Sequence, residues 1–308
     1  MEENINLFLQ SYSNDFLDWL NLAFTQLGGE IFFLAVAMVL FWCVDKKFGF
    51  KTINVYLLGC IAMTGMKNIV RRPRPFENGN VRSIGAKESG YSFPSGHSHS
   101  AANLSAQAAL KTRKISVIVY GAVLTAVVMF TRLYLGQHYI TDVIAGCALG
   151  IIFAVLFSWL YGFIEDKEDK IWYVITPLCI GVAIICAALG VESGQIYDVC
   201  GGYGAAAVAY ALEKKYIALD VKTDFKKQIA KILIGTVSVL AVKEGLKVLF
   251  SAIGWTHALA YNFLRYALVA ATAFVLMPWI YKKLHLYGRS GVNELKEKSG
   301  RKNETAYR

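Results

Sequence analysis

The residues best suited to chemistry lie in Thr131-Arg-Leu-Tyr-Leu-Gly-Gln-His-Tyr-Ile-Thr-Asp142, which separates two long apolar runs. The stretch sets Arg132, His138 and Asp142 at the edge of a membrane. If a helix begins at Gln137, His138 and Asp142 stand at i and i+4, one turn apart on one face. A carboxylate at that spacing holds the imidazole in one tautomer and stabilises its charged form. The other ring nitrogen becomes the better base or nucleophile. The competing reading is structural: Arg132 snorkels to the interface while His138 and Asp142 cap a helix.

Two earlier stretches weigh against that reading. Lys67-Asn-Ile-Val-Arg-Arg-Pro-Arg-Pro75 puts six residues between Lys67 and Arg74, and Phe93-Pro-Ser-Gly-His97 is a tight-turn sequence that delivers His97 to the next apolar run. In order, the three stretches read K-x6-RP, PSGH and R-x5-H-x3-D. This pattern resembles the type 2 phosphatidic acid phosphatase superfamily, which includes lipid phosphate phosphatases, glucose-6-phosphatase and the vanadium haloperoxidases. One departure is Thr131, where the family usually has Ser before the arginine; it keeps the hydroxyl. The matched signature runs from Lys67 to Asp142, and the resemblance is weak beyond residue 150.

The resemblance implies roles for individual residues. His138, oriented by Asp142, would be the in-line nucleophile that forms a phosphohistidine. His97 would protonate the leaving oxygen and then activate water. Attack on a phosphomonoester spreads charge over three equatorial oxygens, and Lys67, Arg74 and Arg132 would supply one point charge and two planar forks around them. Ser95 and Gly96 stand where a turn meets a helix N-terminus, so the Gly96 and His97 N–H groups would face the same anion. No metal or other cofactor is implied, because side chains neutralise the phosphate.

The elements that must position these residues are membrane helices. Of 308 residues, 56% are hydrophobic and 18% charged, and the mean hydropathy is +0.42. That composition excludes an ordinary soluble domain and indicates an all-α polytopic membrane bundle. The net charge of +10 would suggest nucleic acid in a soluble protein, but here the basic residues cluster in short loops and a tail, so nucleic acid is not an expected partner. Cys43, Cys60, Cys147, Cys179, Cys186 and Cys200 mostly sit in apolar runs without paired spacing. They read as small buried hydrophobes, neither disulfides nor metal ligands.

Residues 1–28 carry no basic segment before their apolar part and read as an amphipathic helix on the membrane surface, not a cleaved signal. Nine spans are expected near 29–45, 52–70, 97–111, 115–136, 138–163, 171–191, 197–213, 228–250 and 256–284. The corresponding domains are a phosphatase core over 29–191, additional helices over 192–285 and a basic tail over 286–308. The lysines at 46, 47, 51, 111, 114, 167, 170, 214, 215, 222, 226 and 227 and the tail after Lys282 fall on one side, which the positive-inside rule makes cytoplasmic. The loop from Arg71 to Pro94 and the Gly136-Gln137 junction then share the outer face. Arg71, Arg72, Arg74, Arg82 and Lys87 break the charge rule there, which an anionic substrate explains. The outer N-terminus of such a topology is similar to that of glucose-6-phosphatase.

Duller readings stand beside several of these. Lys67 alone suits snorkelling, Arg71 and Arg72 suit headgroup anchoring, His99 is structural, and His257 and His285 are interfacial. Lys243, Glu244 and Lys247 sit in one late apolar run and Arg265 in the next. A Glu244–Arg265 ion pair is the plain expectation; Lys243 or Lys247 reaching a substrate headgroup is the sharper one. The tail from Tyr287 reads as a disordered cytoplasmic end that anionic lipid attracts.

The expectation is therefore an integral phosphatase of a bacterial plasma membrane with an outward site and membrane lipids around it. Its substrate would be a lipid phosphate: phosphatidic acid, phosphatidylglycerol phosphate, a sphingoid-base phosphate or a polyprenyl diphosphate. A sugar-phosphate phosphatase is the alternative enzyme. A non-catalytic lipid-phosphate transporter or binding protein is the alternative of another class.

Overall fold

The computed structural model describes residues 2–164, 167, 170, 172–190, 194–254 and 259–288. His257 and the tail from 289 lie outside them, so the readings of both fall outside the described residues. Among the described residues the regular elements are all helices, without a strand: α1 (Glu2–Gln10), α2 (Asp15–Thr25), α3 (Glu30–Val39), α4 (Lys46–Val70), α5 (Gly96–Thr112), α6 (Ile115–Tyr134), α7 (Ile140–Gly162), α8 (Trp172–Ala188), α9 (Gly194–Leu212), α10 (Phe225–Ala252), α11 (Leu264–Ala271) and α12 (Met277–Lys283).

Two compact units divide the chain: residues 1–37 with 51–163, and residues 38–50 with 164–308. The first unit is built around α5, which packs against both α6 and α7. α5, expected as a span over 97–111, is polar, and its polar side chains are buried: Ser98, His99, Ser100, Asn103 and Gln107. Each of several finds a partner inside the unit, as a polar group shielded from water must. Ser100 Oγ donates to the Tyr56 hydroxyl at 3.0 Å, and Gln107 Nε2 donates to Asn103 Oδ1 at 2.7 Å and to the Thr52 carbonyl at 3.3 Å. Small residues bring α7 close. A Cβ on Gly146 would meet the Ser95 carbonyl, and one on Gly150 would stand 2.6 Å from the His99 carbonyl. Outward faces of α6 and α7 expose Ile118, Val119, Val123, Ile144, Ile152 and Val155, the surface expected against lipid.

α1 and α2 pack on α6 and do not stand apart as a surface helix. Asn6 is buried and donates to the carbonyls of Leu133 at 2.8 Å and His138 at 3.0 Å, and the Tyr134 hydroxyl donates to Asp18 at 2.6 Å. Polar side chains that seemed to mark a water-facing stripe instead tie these helices to the loop beneath.

The second unit is organised around α9, which packs against α8 and α11. Phe50 stacks on Tyr210 with ring centroids 3.9 Å apart, and Trp42 Nε1 donates to the Ala273 carbonyl at 2.9 Å. Lys46 Nζ lies 2.9 Å from the buried Glu213, and the fully buried Lys231 donates to the carbonyls of Trp42 at 2.7 Å and Val221 at 2.8 Å. Arg265 pairs with Asp198 at 3.8 Å and stacks on Tyr261 and Tyr266, in place of the expected Glu244–Arg265 pair. Glu244 instead lies 3.3 Å from Lys243, its chain neighbour.

Among the described residues, four helices are long and apolar enough to cross a membrane, or five if the bent pair Asp15–Gly28 and Glu30–Val44 is one span. The nine expected from sequence exceed that number for a physical reason. α5 carries the buried polar face just described, α8 has 17 residues with Pro177 inside it, and α10 carries five lysines and a glutamate.

Candidate functional site

All the sequence-predicted site residues fall in the first unit. α6 ends at Tyr134 and α7 begins at Ile140, so His138 lies in the junction and not on a helix as the i, i+4 reading required. The junction turns at Gly136, whose φ is +70°. A Cβ there would also meet the Arg82 carbonyl, so glycine satisfies both the left-handed backbone and the close approach. Asp142 is the third residue of α7, and its Oδ2 accepts from the Tyr139 N–H at 2.8 Å in a capping box.

His138 Nδ1 faces Asp142 Oδ2 at 3.6 Å, too long for a hydrogen bond. Ser92 bridges them: its hydroxyl donates to Asp142 Oδ2 and stands 3.4 Å from His138 Nδ1. The other carboxylate oxygen, Oδ1, accepts from Arg72 Nη1 at 2.8 Å. Arg72 also donates to Thr141 Oγ1 at 2.6 Å, pairs with Glu2, and lies over the Tyr139 ring at 4.0 Å. The headgroup-anchor reading of Arg72 is thereby replaced. Arg71 is exposed.

The other face of His138 meets cations. Nε2 lies 3.4 Å from Arg74 Nη1. Arg74 and Arg132 are each 2% exposed. Both close on the Glu88 carboxylate, Arg74 at 3.2 Å and Arg132 closer still. Arg132 also donates to Thr25 Oγ1 at 2.9 Å, and its Nε is buried without a partner. His97, in the first turn of α5, stands 3.6 Å from the same carboxylate. Lys67 donates to the Tyr91 carbonyl at 2.7 Å. Ser95 is the N-cap of α5: its Oγ accepts from Ser98 N, and its own N–H donates to the Asp142 carbonyl at 3.0 Å. A Cβ added to Gly96 would meet open space.

The electrostatics follow from this crowding. Burial alone would raise the Glu88 carboxyl, but Arg132, His97, His138 and Arg74 outweigh it and hold the group down at about 2. His138, in the junction outside both helices, is held well below the ordinary imidazole value by burial and then by Arg132, Arg74 and Lys67. It is therefore neutral, with a lone pair available. With Nδ1 turned toward Ser92 and Asp142, the free lone pair belongs on Nε2, beside Arg74.

Sequence reasoning passed over Ser92, Glu88, Glu2, Asn6 and Thr25. Ser92 offered a faint signal, lying two residues before Pro94 of the turn motif. Glu88 stands five residues before Phe93, in the loop between two motifs, and Glu2, Asn6 and Thr25 lie far from any motif and arrive only through folding.

A model of the PAP2 superfamily matches residues 48–166. A second, described as the transmembrane extension of PAP2 superfamily phosphatases, matches residues 197–289. Among curated relatives, sphingosine-1-phosphate phosphatase 1 of Rattus norvegicus is 27% identical over 249 residues, 72% of this chain, and the chain spans only 58% of that relative's length. Phosphatidylglycerophosphatase B of Bacillus subtilis is 30% identical over 163 residues, 48% of this chain and 76% of that protein. A solved phosphatidylglycerolphosphate phosphatase of Bacillus subtilis superposes with a TM-score of 0.45 at 26% identity, covering 54% of this chain and 85% of that one. Since the two family models together cover well over half of its length, the chain belongs to the PAP2 superfamily.

Proposed function

We propose that this protein is a membrane phosphatase that hydrolyses a lipid phosphate through a phosphohistidine on His138. The observation that carries this reading is the convergence of Arg74, Arg132, His97 and His138 on a single carboxylate. A site in which two guanidinium groups hold a carboxylate, with two imidazole rings facing it, is suited to an oxyanion. In the reaction, His138 Nε2 forms the bond to phosphorus as the ester oxygen departs with a proton from His97. His97 then takes a proton from water, which attacks the phosphohistidine and releases inorganic phosphate. Ser92, Asp142 and Arg72 hold the imidazole with its Nδ1 turned away. The unpartnered Arg132 Nε is one donor left for a phosphate oxygen.

A lipid substrate is favoured by an apolar cavity of about 340 Å³ between α5, α6 and α7, lined by Ala106, Gly121, Ala122, Ala126, Met129 and Ile151 among others. Those three helices also carry His97, Arg132 and Asp142. An acyl or prenyl chain can lie among them while its headgroup meets the arginines. The relatives named above act, by their names, on a sphingoid-base phosphate and on phosphatidylglycerol phosphate, both lipid monoesters. The distribution of lysines along the chain supports a site on the outer face of the cell membrane as part of this proposal.

The test is phosphate release by detergent-purified protein, with chelator present, from phosphatidic acid, a sphingoid-base phosphate, a polyprenyl diphosphate and glucose 6-phosphate. Release from lipid substrates that is lost in His138→Ala supports the proposal. Release from glucose 6-phosphate alone moves the substrate to a soluble sugar. No release at all, from protein that still binds phosphate, makes this a binding or transport protein.

A further inference from the structure

Glu88 belongs to none of the three motifs, yet its carboxylate lies where the cationic groups meet. Oε1 pairs with Arg132 and stands 3.6 Å from His97 Nδ1, while Oε2 lies 3.2 Å from Arg74 Nη1 and 4.0 Å from His138 Nε2. The loop around it takes further donors: Lys67 donates to Tyr91 O, Arg74 Nε to Gly90 O at 2.9 Å and Arg74 Nη2 to Ser89 O at 3.1 Å. A phosphate cannot reach Arg132 and His138 Nε2 until this carboxylate leaves. The glutamate is 31% exposed, so its way out is open. Gly79 and Gly90, both at positive φ with open space beside them, bracket its loop.

The charges limit what can replace it. Arg72 is matched by Asp142 and Glu2. Lys67, Arg74 and Arg132 face Glu88, with Asp142 acting on Lys67 and both Asp142 and Glu77 acting on Arg74 from farther off. A monoester dianion can take the place of Glu88 among these cations while the displaced carboxylate stays nearby. An ester diphosphate carries up to one charge more, and its extra phosphate stands toward the mouth into which Glu88 has moved.

We propose that Glu88 is an internal competitor for the phosphate pocket and a specificity residue that favours lipid monophosphates over diphosphates. The inference rests on the phosphatase reading and names the substrate class within it.

The experiment compares wild type with Glu88→Gln and Glu88→Ala. It measures inhibition by inorganic phosphate, and kcat/KM for a lipid monophosphate and a polyprenyl diphosphate of similar chain length. If Glu88 occupies the pocket about nine-tenths of the time, its removal tightens phosphate binding roughly tenfold. The diphosphate-to-monophosphate ratio of kcat/KM is expected to rise in both variants. Unchanged or weaker phosphate binding with an unchanged ratio overturns the proposal. Loss of both hydrolyses with phosphate binding unaltered also overturns it, since Glu88 would then be assisting the reaction. If wild type hydrolyses neither substrate, the phosphatase reading fails by itself, whereas tighter binding of phosphate to both variants would still support the competitor.

Discussion

At the scale of single residues, the site is a chain of orientation that ends at one ring nitrogen. Arg72 holds Asp142, Asp142 holds Ser92 and the N–H of Tyr139, and Ser92 faces His138 Nδ1. Asp142 is fully buried, so losing Arg72 leaves its charge poorly compensated. Arg72→Ala is expected to lower kcat roughly 10- to 100-fold, the scale on which groups that orient a histidine act, with KM changed less. Partial recovery in Arg72→Lys would separate charge from fork geometry, and wild-type kcat in Arg72→Ala would contradict this chain. Glu88 gives a pH prediction. Its folded value of about 2 lies below the ordinary 4.5, so its ionised form stabilises the fold above 4.5 and that stability is lost as pH falls toward 2. Acid unfolding between pH 4.5 and 2 should therefore be less steep in Glu88→Gln than in wild type. The motif residues were legible because their types and spacing are local. Ser92, Glu88 and Arg72 were not, because their meaning depends on where a loop returns.

Among the elements, α5 and α7 decide whether the two histidines share a site. Gly146 lets α7 approach the Ser95 carbonyl, which in turn is the N-cap of α5. Gly146→Ala must push the helices apart, which should cost about 1–3 kcal/mol of stability and lower kcat by separating His97 from His138. Thermal unfolding in detergent and steady-state kinetics check both, and an unperturbed variant would show that the packing is looser than the contact implies. Hydropathy found α6 and α7, each a long apolar run, but placed the start of α7 two residues early. The reason is that His138 and Tyr139 are held by loop contacts, with the His138 carbonyl accepting from Asn6. The contacts of α1 were not legible for the complementary reason, since Asn6 is polar but fully buried. Asn6→Ala should therefore reduce kcat more than it reduces expression, and a variant with unchanged turnover would assign Asn6 to packing alone.

For the whole molecule, composition was sufficient to read an all-helical membrane protein, and insufficient to count its spans. A count by hydropathy treats every helix as facing lipid, whereas the polar face of α5 is turned inward and hydrogen-bonded. The lysine distribution predicts an outward-facing site. A single cysteine placed at the exposed Asn80, in a cysteine-free background, should react with a membrane-impermeant maleimide in intact cells. Labelling only after permeabilisation would put the site in the cytoplasm. The account as a whole turns on the bond formed at His138. Rapid quenching with a lipid substrate labelled at phosphorus tests it directly, using His97→Ala to slow hydrolysis of the adduct. The expected result is an acid-labile, base-stable phosphoryl label on the peptide that contains His138, absent from His138→Ala. Label on any other residue, or unimpaired turnover in His138→Ala, would contradict it.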